Sequence, residues 1–97
     1  MIYADVIKQQ PFAQGTGTAD MDLAAIRRGD YKCSDLWYMR NSLFKAAGYC
    51  FKTPQAIRTF GNVGCAYDKQ DEVPLSARQR SILGEIQAAE ITKSCPR

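Results

Sequence analysis

The chain has 97 residues, 45% hydrophobic and 24% charged, which is the size and composition of one globular domain. It contains no histidine, which excludes Ser-His-Asp and Cys-His nucleophilic catalysis in their usual forms as well as histidine-containing zinc sites. The net charge of +3 is smaller than the bias of a dedicated nucleic-acid-binding domain, and no apolar run approaches the ~20 residues that span a bilayer.

The first third of the chain differs from the rest in pattern and charge. Residues 1–32 hold four basic and four acidic side chains, so residues 33–97 carry the whole positive excess. We expect 1–32 to form an extended arm followed by a short helix that packs on a domain spanning 33–97. Asp20 is the predicted cap of this helix, and Gly29 is its predicted end.

The clearest helix follows. Ser34 or Asp35 is its predicted cap, and Gly48 is its predicted end. Apolar residues recur between them at steps of three and four, which is typical of a helix with one buried face. These residues are Leu36, Met39, Leu43 and Ala47.

Two further helices are predicted in the second half of the chain. Thr53-Pro54 combines a capping residue with proline at the first helical position, and this helix is expected to stop at Gly61. The polar segment 62–73 favours turns. Ser76 and Gln79 form a capping box that begins the last helix. Its predicted buried stripe consists of Ile82, Leu83, Ile86 and Ala89. The fold class is therefore mainly α, a small domain of three to four short helices.

Four cysteines in a chain this short indicate two disulfides. No two of them form a CxxC pair, so zinc and other metals are not expected. Cys33 and Cys50 flank the predicted Leu36–Ala47 helix and lie roughly 18 Å or more apart, beyond the ~7 Å between the Cα atoms of a disulfide. Two pairings remain. An antiparallel last helix favours Cys33–Cys95 with Cys50–Cys65 over the alternative that joins Cys33 to Cys65.

Disulfides require an oxidising compartment, so a periplasmic or extracellular location is expected. The first residues have neither a basic start nor a 7–15-residue apolar stretch, so this chain shows no signal peptide. The alternative is that the four cysteines are reduced thiols in the cytosol.

Several separated elements of the chain occur together in one known family. They are Leu36-Trp37, Arg40-Asn41, Gly48-Tyr49-Cys50-Phe51, Phe60-Gly61, Tyr67-Asp68, Leu75-Ser76, Glu85-Ile86 and Glu90. In this order they resemble the YARHG domain, and more narrowly its cysteine-rich alphaproteobacterial branch. The name motif itself differs, because residues 44–48 read Phe-Lys-Ala-Ala-Gly and retain only its aromatic residue and its glycine. The resemblance implies an extracytoplasmic module without an established catalytic activity.

The candidate ligand-binding residues come from one aromatic and basic stretch. Seven of the ten aromatic residues lie between positions 37 and 67, interleaved with cations. Aromatic faces beside cations suit sugars, peptides or anionic polymers. The candidate patch consists of Arg40, Tyr49, Lys52 and Arg58. For Arg40, an ion pair with a carboxylate or stacking on an aromatic ring is favoured over ligand binding.

We therefore expect a non-catalytic periplasmic or cell-envelope module that binds a polar or anionic envelope polymer or an envelope protein, without a cofactor. The first alternative is a small thiol-dependent enzyme or redox protein, for which Cys33 at a helix start is the supporting feature. The second is a nucleic-acid-binding module, which fits the sign of the charge but has no recognisable motif. The acidic segment Asp68, Asp71 and Glu72 lacks the spacing of a calcium loop and is interpreted as a solvated turn.

Overall fold

The computed structural model describes residues 21–96. The predicted N-terminal arm and Asp20, the predicted cap of the short helix, lie outside the described residues. Within that range the chain folds into four α-helices and no strand, with one isolated bridge between Tyr49 and Tyr67. The helices are α1 (Leu23–Arg28), α2 (Cys33–Ala46), α3 (Pro54–Phe60) and α4 (Ala77–Thr92), and a 3-10 turn (Gln70–Glu72) precedes α4. The predicted mainly helical class is confirmed. None of these helices has the length and apolar character needed to cross a membrane.

The first two helices begin at different residues from those predicted. In α1 the cap is Asp22, whose carboxylate accepts the N–H of Ala25 at 3.2 Å. In α2 the capping position is Lys32, and the Asp35 carboxylate bonds back to the N–H of Lys32 at 3.2 Å. The predicted cap at Ser34 or Asp35 is therefore wrong, because Asp35 stabilises the helix start from inside its first turn.

The starts of α3 and α4 agree with the sequence. The Thr53 hydroxyl accepts the N–H of Ala56 at 3.2 Å, and Pro54 occupies the first helical position. Ser76 and Gln79 form the reciprocal capping box, with the Gln79 N–H donating to Ser76 Oγ at 3.0 Å and the Ser76 N–H donating to Gln79 Oε1 at 2.8 Å. Local side-chain chemistry alone defines these two starts.

The helices α2 and α4 pack antiparallel, as the pairing argument required. The start of α2 meets the end of α4 through Cys33–Cys95, and the middle of α2 meets α4 through Arg40 and Glu90. The short α1 packs on α4 and contributes Ile26 to the same core. The main core between these three helices contains Met21, Ile26, Leu36, Met39, Leu43, Ile82, Ile86 and Cys95.

Both disulfides of the favoured pairing are present. Cys33 bonds to Cys95 with the Cα atoms 5.5 Å apart, and Cys50 bonds to Cys65 with the Cα atoms 5.1 Å apart. No cysteine is free. The first bridge connects positions 62 residues apart and fixes the chain end beyond α4 to the start of α2, whereas the second closes a segment of 15 residues around α3.

An ion pair between α1 and α4 gives a prediction about acid stability. Arg27 Nη2 donates to Glu85 Oε2 at 3.1 Å, and this hydrogen bond holds the pKa of the Glu85 carboxyl below its ordinary value. A carboxyl whose pKa is lower in the folded state stabilises the fold above its ordinary pKa, and this stabilisation is lost as the pH falls through the folded-state pKa. We expect unfolding free energies of wild type and Glu85→Gln to differ at neutral pH and to converge in acid. Urea titrations at a series of pH values measure this, and a difference that widens in acid would contradict it.

Candidate binding groove beside the Arg40–Glu90 ion pair

A crosslinked loop forms one side of the candidate site. The side-chain amide of Asn62 pairs with the backbone of Phe51 in both directions, since the Phe51 N–H donates to Asn62 Oδ1 at 2.7 Å and Asn62 Nδ2 donates to the Phe51 carbonyl at 3.0 Å. The Cys50 N–H donates to the Tyr67 carbonyl at 2.8 Å, beside the Cys50–Cys65 disulfide. These contacts hold the segment between α2 and α3 in place without a regular strand.

Gly48 makes this loop possible. Its φ of +95° belongs to the left-handed region that favours glycine. A Cβ atom added here would lie 3.5 Å from the ring of Tyr67, and the Gly48 carbonyl accepts the N–H groups of Ala66 and Tyr67 at 2.7 and 3.1 Å. A side chain at this position would therefore strain the turn that brings the two segments together.

A second core of aromatic rings lies beneath the loop. The ring of Tyr49 lies 5.6 Å from Phe44 and 5.2 Å from Phe51, and Phe51 stacks on Phe60 at 5.1 Å. Phe60 in turn contacts Trp37 at 6.0 Å. This continuous series of rings connects α2, the loop and α3, so most of the aromatic residues in the basic stretch have a packing role.

An open groove of about 270 Å³ lies between α2, the loop and the start of α3. Its volume is close to the lower limit of ~300–1,000 Å³ for sites that bury a small molecule. It combines aromatic, amide and cationic side chains on one surface. The lining residues are Trp37, Arg40, Asn41, Tyr49, Phe51, Lys52, Thr53, Gln55, Ala56 and Gln70.

The groove brings together three of the four predicted ligand-binding residues. Arg40, Tyr49 and Lys52 all line it, whereas Arg58 lies outside its lining on α3. Tyr49 is only 9% exposed, although it lines the groove. The ring belongs to the aromatic core, because Phe44 and Phe51 enclose it.

Both cations of the groove lining have carboxylate partners. Arg40 donates from Nε to Glu90 Oε1 at 2.9 Å and from Nη2 to Glu90 Oε2 at 3.2 Å, a two-point contact between α2 and α4. Lys52 Nζ lies 3.1 Å from Asp68 Oδ1, and both of these side chains are largely exposed. Arg40 therefore has the role that the sequence favoured, pairing with a carboxylate, and it also lines the groove.

The predicted patch did not include two residues that the structure places in or beside the groove, Glu90 and Asn41. Glu90 is only 3% exposed and bonds to Arg40. Asn41 is buried, and its Nδ2 donates to the Trp37 carbonyl of its own helix at 2.9 Å. The signals that could identify them are positional: Glu90 follows Ile86 by four residues on the buried stripe of α4, and Asn41 is an unfavourable residue in mid-helix.

The acidic segment before α4 has no features of a metal centre. Asp71 and Glu72 lie exposed in the 3-10 turn, and Asp68 is paired with Lys52. Among residues 21–96, no group of three or more cysteine or carboxylate side chains is arranged to hold a metal ion. The chemistry available in the groove comes from its aromatic, amide and cationic lining, which can pack against a ligand and form hydrogen bonds with it.

The described residues form a small helical module with two disulfides and one groove lined by aromatic and polar side chains. A family model for the YARHG domain matches residues 11–91, and the chain belongs to this family. The match starts before the region of resemblance found in the sequence and includes part of the predicted arm. No curated protein and no solved structure matches the chain. The YARHG domain is an extracytoplasmic type of module, and the two disulfides fit that location.

The structure explains the two positions of the name motif that this chain retains. Phe44 is 3% exposed and belongs to the aromatic core, and Gly48 forms the turn that its positive φ requires. The three positions between them are half-buried at the end of α2, where Lys45 Nζ donates to the Gly61 carbonyl at 3.3 Å and Ala47 packs against the aromatic core.

Proposed function

We propose that this protein is a non-catalytic module of the periplasm or cell envelope that holds a polar or anionic envelope component, either a polymer or a protein. The observation that carries the proposal is the groove itself. It places Arg40, Tyr49 and Lys52 on one surface beside the half-buried Trp37. Small binding sites typically combine an apolar lining with a few polar groups that fix the orientation of the ligand.

Positive charge at the edge of the groove, on Lys52 and Arg58, supports a ligand that is anionic or has an anionic group. Lys52 is largely exposed, and its partner Asp68 is still more exposed, so solvent screens this pair strongly. Arg58 is exposed on the adjacent helix α3 and forms no ion pair with a described residue. Lys52 can therefore exchange its screened contact with Asp68 for a negative group on a partner, and Arg58 has no described counter-charge to give up.

The disulfides bear on the thiol-based alternative. A thiol-dependent enzyme requires an exposed thiolate, and all four cysteines of the oxidised chain are in disulfides. In this state the residue that supported the alternative, Cys33, is bonded to Cys95. A binding role needs no free thiol and uses the disulfides as structural crosslinks.

The double replacement Lys52→Glu/Arg58→Glu tests the proposal. We expect it to weaken retention of the oxidised protein on an isolated cell-envelope fraction, and wild-type retention to fall as salt rises, because exposed charges are screened beyond about 8–10 Å at ordinary salt. The melting temperature should change little, since surface substitutions usually cost less than ~0.5 kcal/mol.

Arg78→Glu/Lys93→Glu is the matched control. Both residues are exposed on or beside α4 and lie outside the groove lining, and the double replacement changes the net charge by the same amount. The control should retain the binding of the wild type. Equal binding by wild type and Lys52→Glu/Arg58→Glu on every fraction that retains the wild type would contradict the proposed patch.

A further inference from the structure

One buried acceptor in the groove has no donor among residues 21–96. Asn41 is only 5% exposed and lines the groove. Its Nδ2 donates to the Trp37 carbonyl, and because a carbonyl only accepts, this bond fixes the orientation of the amide. Asn41 Oδ1 accepts no hydrogen bond from a described residue. A buried acceptor without a donor is unfavourable, so this position favours a ligand that supplies an O–H or N–H group.

Unused donors lie in the same lining. Glu90 occupies Nε and Nη2 of Arg40 and leaves Nη1 without a partner among residues 21–96. The indole N–H of Trp37 likewise donates to no described residue. The groove therefore offers both an acceptor and donors, which matches a ligand whose groups can donate and accept at once.

Charge pairing makes the interior of the groove close to neutral. The two cations of its lining, Arg40 and Lys52, are paired with Glu90 and Asp68. A second depression of about 320 Å³ shares Trp37 and Gln55 with the groove, and the charged residue in its lining is Glu90 itself. A net negative group would gain little in either place, whereas an uncharged polar group could use the unused donors and the acceptor.

We propose that the ligand segment inside the groove is an uncharged glycan, with one sugar residue in the groove and the next in the neighbouring depression. Sugar hydroxyls both donate and accept, so they can satisfy Asn41 Oδ1 and take hydrogen bonds from Arg40 Nη1 and the Trp37 indole. The C–H face of a sugar ring can pack on Trp37, which lines both depressions. This inference rests on the proposed binding function and names the class of its ligand.

The test compares Asn41→Leu with wild type, using the tetramer of N-acetylglucosamine as an uncharged probe and isothermal titration calorimetry as the measurement. Leucine has nearly the same shape and removes both the unpaired acceptor and the donor. We expect the affinity to fall at least tenfold, while the melting temperature stays equal or rises, because replacing a buried unpaired polar group by an apolar one is neutral or stabilising. Wild-type affinity for the tetramer should be nearly independent of salt.

Ser42→Ala is the matched control. Ser42 is the next residue of α2, is buried, and makes the same kind of bond, from Oγ to the Tyr38 carbonyl at 2.7 Å, but it does not line the groove. Its replacement should leave tetramer binding unchanged. Absence of tetramer binding by wild type, or equal binding by wild type and Asn41→Leu, would overturn the inference.

A second probe separates this inference from the proposed function. Poly-L-glutamate carries negative charge but no sugar. Salt-sensitive binding of poly-L-glutamate that Lys52→Glu/Arg58→Glu abolishes, together with no binding of the tetramer, would support an anion-binding surface and overturn the glycan assignment. Tetramer binding that Asn41→Leu removes and that stays unchanged as salt rises would support the assignment.

Discussion

Replacing both Cys33 and Cys95 with serine is expected to lower the free energy of unfolding by about 4 kcal/mol. The bridge connects positions 62 residues apart, and a crosslink across a long segment removes more conformational freedom from the unfolded chain than a short one does. Domains of this size are stable by roughly 5–15 kcal/mol, so the expected loss is between about a quarter and four-fifths of the total. Urea unfolding monitored by circular dichroism measures the change.

The second disulfide supplies the comparison. Cys50→Ser/Cys65→Ser opens a segment of 15 residues and should cost about 3 kcal/mol. Its effect should also reach the groove, because the loop that it crosslinks contains Tyr49, Phe51 and Lys52. A smaller loss of stability for Cys33→Ser/Cys95→Ser than for Cys50→Ser/Cys65→Ser would contradict the argument from segment length.

The sequence excludes one of the three possible disulfide pairings, because the length of a helix sets the distance between the cysteines at its two ends. A helix between Cys33 and Cys50 keeps them apart, and an antiparallel last helix places Cys95 beside Cys33. The starts of α3 and α4 were also predictable from the sequence, because the Thr53 and Ser76 hydroxyls accept backbone N–H groups only three residues further along the chain. In such cases short-range chemistry determines the outcome.

The starts of α1 and α2 show how two nearby polar residues compete. Asp20 and Asp22 both suit a capping position, and the observed cap at Asp22 leaves Met21 to enter the main core ahead of the helix. In α2, Asp35 forms its hydrogen bond to Lys32 from the third helical position. Which of two candidates caps a helix depends on tertiary packing that local propensity does not contain.

The groove was only partly predictable for a similar reason. The sequence concentrates aromatic and basic residues in 37–67, and three of the four chosen residues line the groove. The bond of Asn62 to Phe51 across 11 positions has no local signal, and it determines where the loop lies. Arg40 follows Leu36 by four residues and Glu90 follows Ile86 by four, so each belongs to a buried stripe, but only the register of α2 against α4 makes them partners.

This partnership gives the second large expected effect. Arg40→Leu should lower the free energy of unfolding by about 3–5 kcal/mol, because it leaves the Glu90 carboxylate, 3% exposed, buried without its counter-charge. Glu90→Leu should cost less, since the Arg40 side chain is 20% exposed and can extend its head toward water. The double variant Arg40→Leu/Glu90→Leu should recover most of the loss, because two apolar side chains replace a pair that was costly to desolvate.

A double-mutant cycle measured by urea unfolding tests the three values together. Arg27→Leu, which breaks the exposed pair with Glu85, serves as the control and should have a much smaller effect. If Arg40→Leu destabilised no more than that control, Glu90 would not depend on Arg40 for its place in the core.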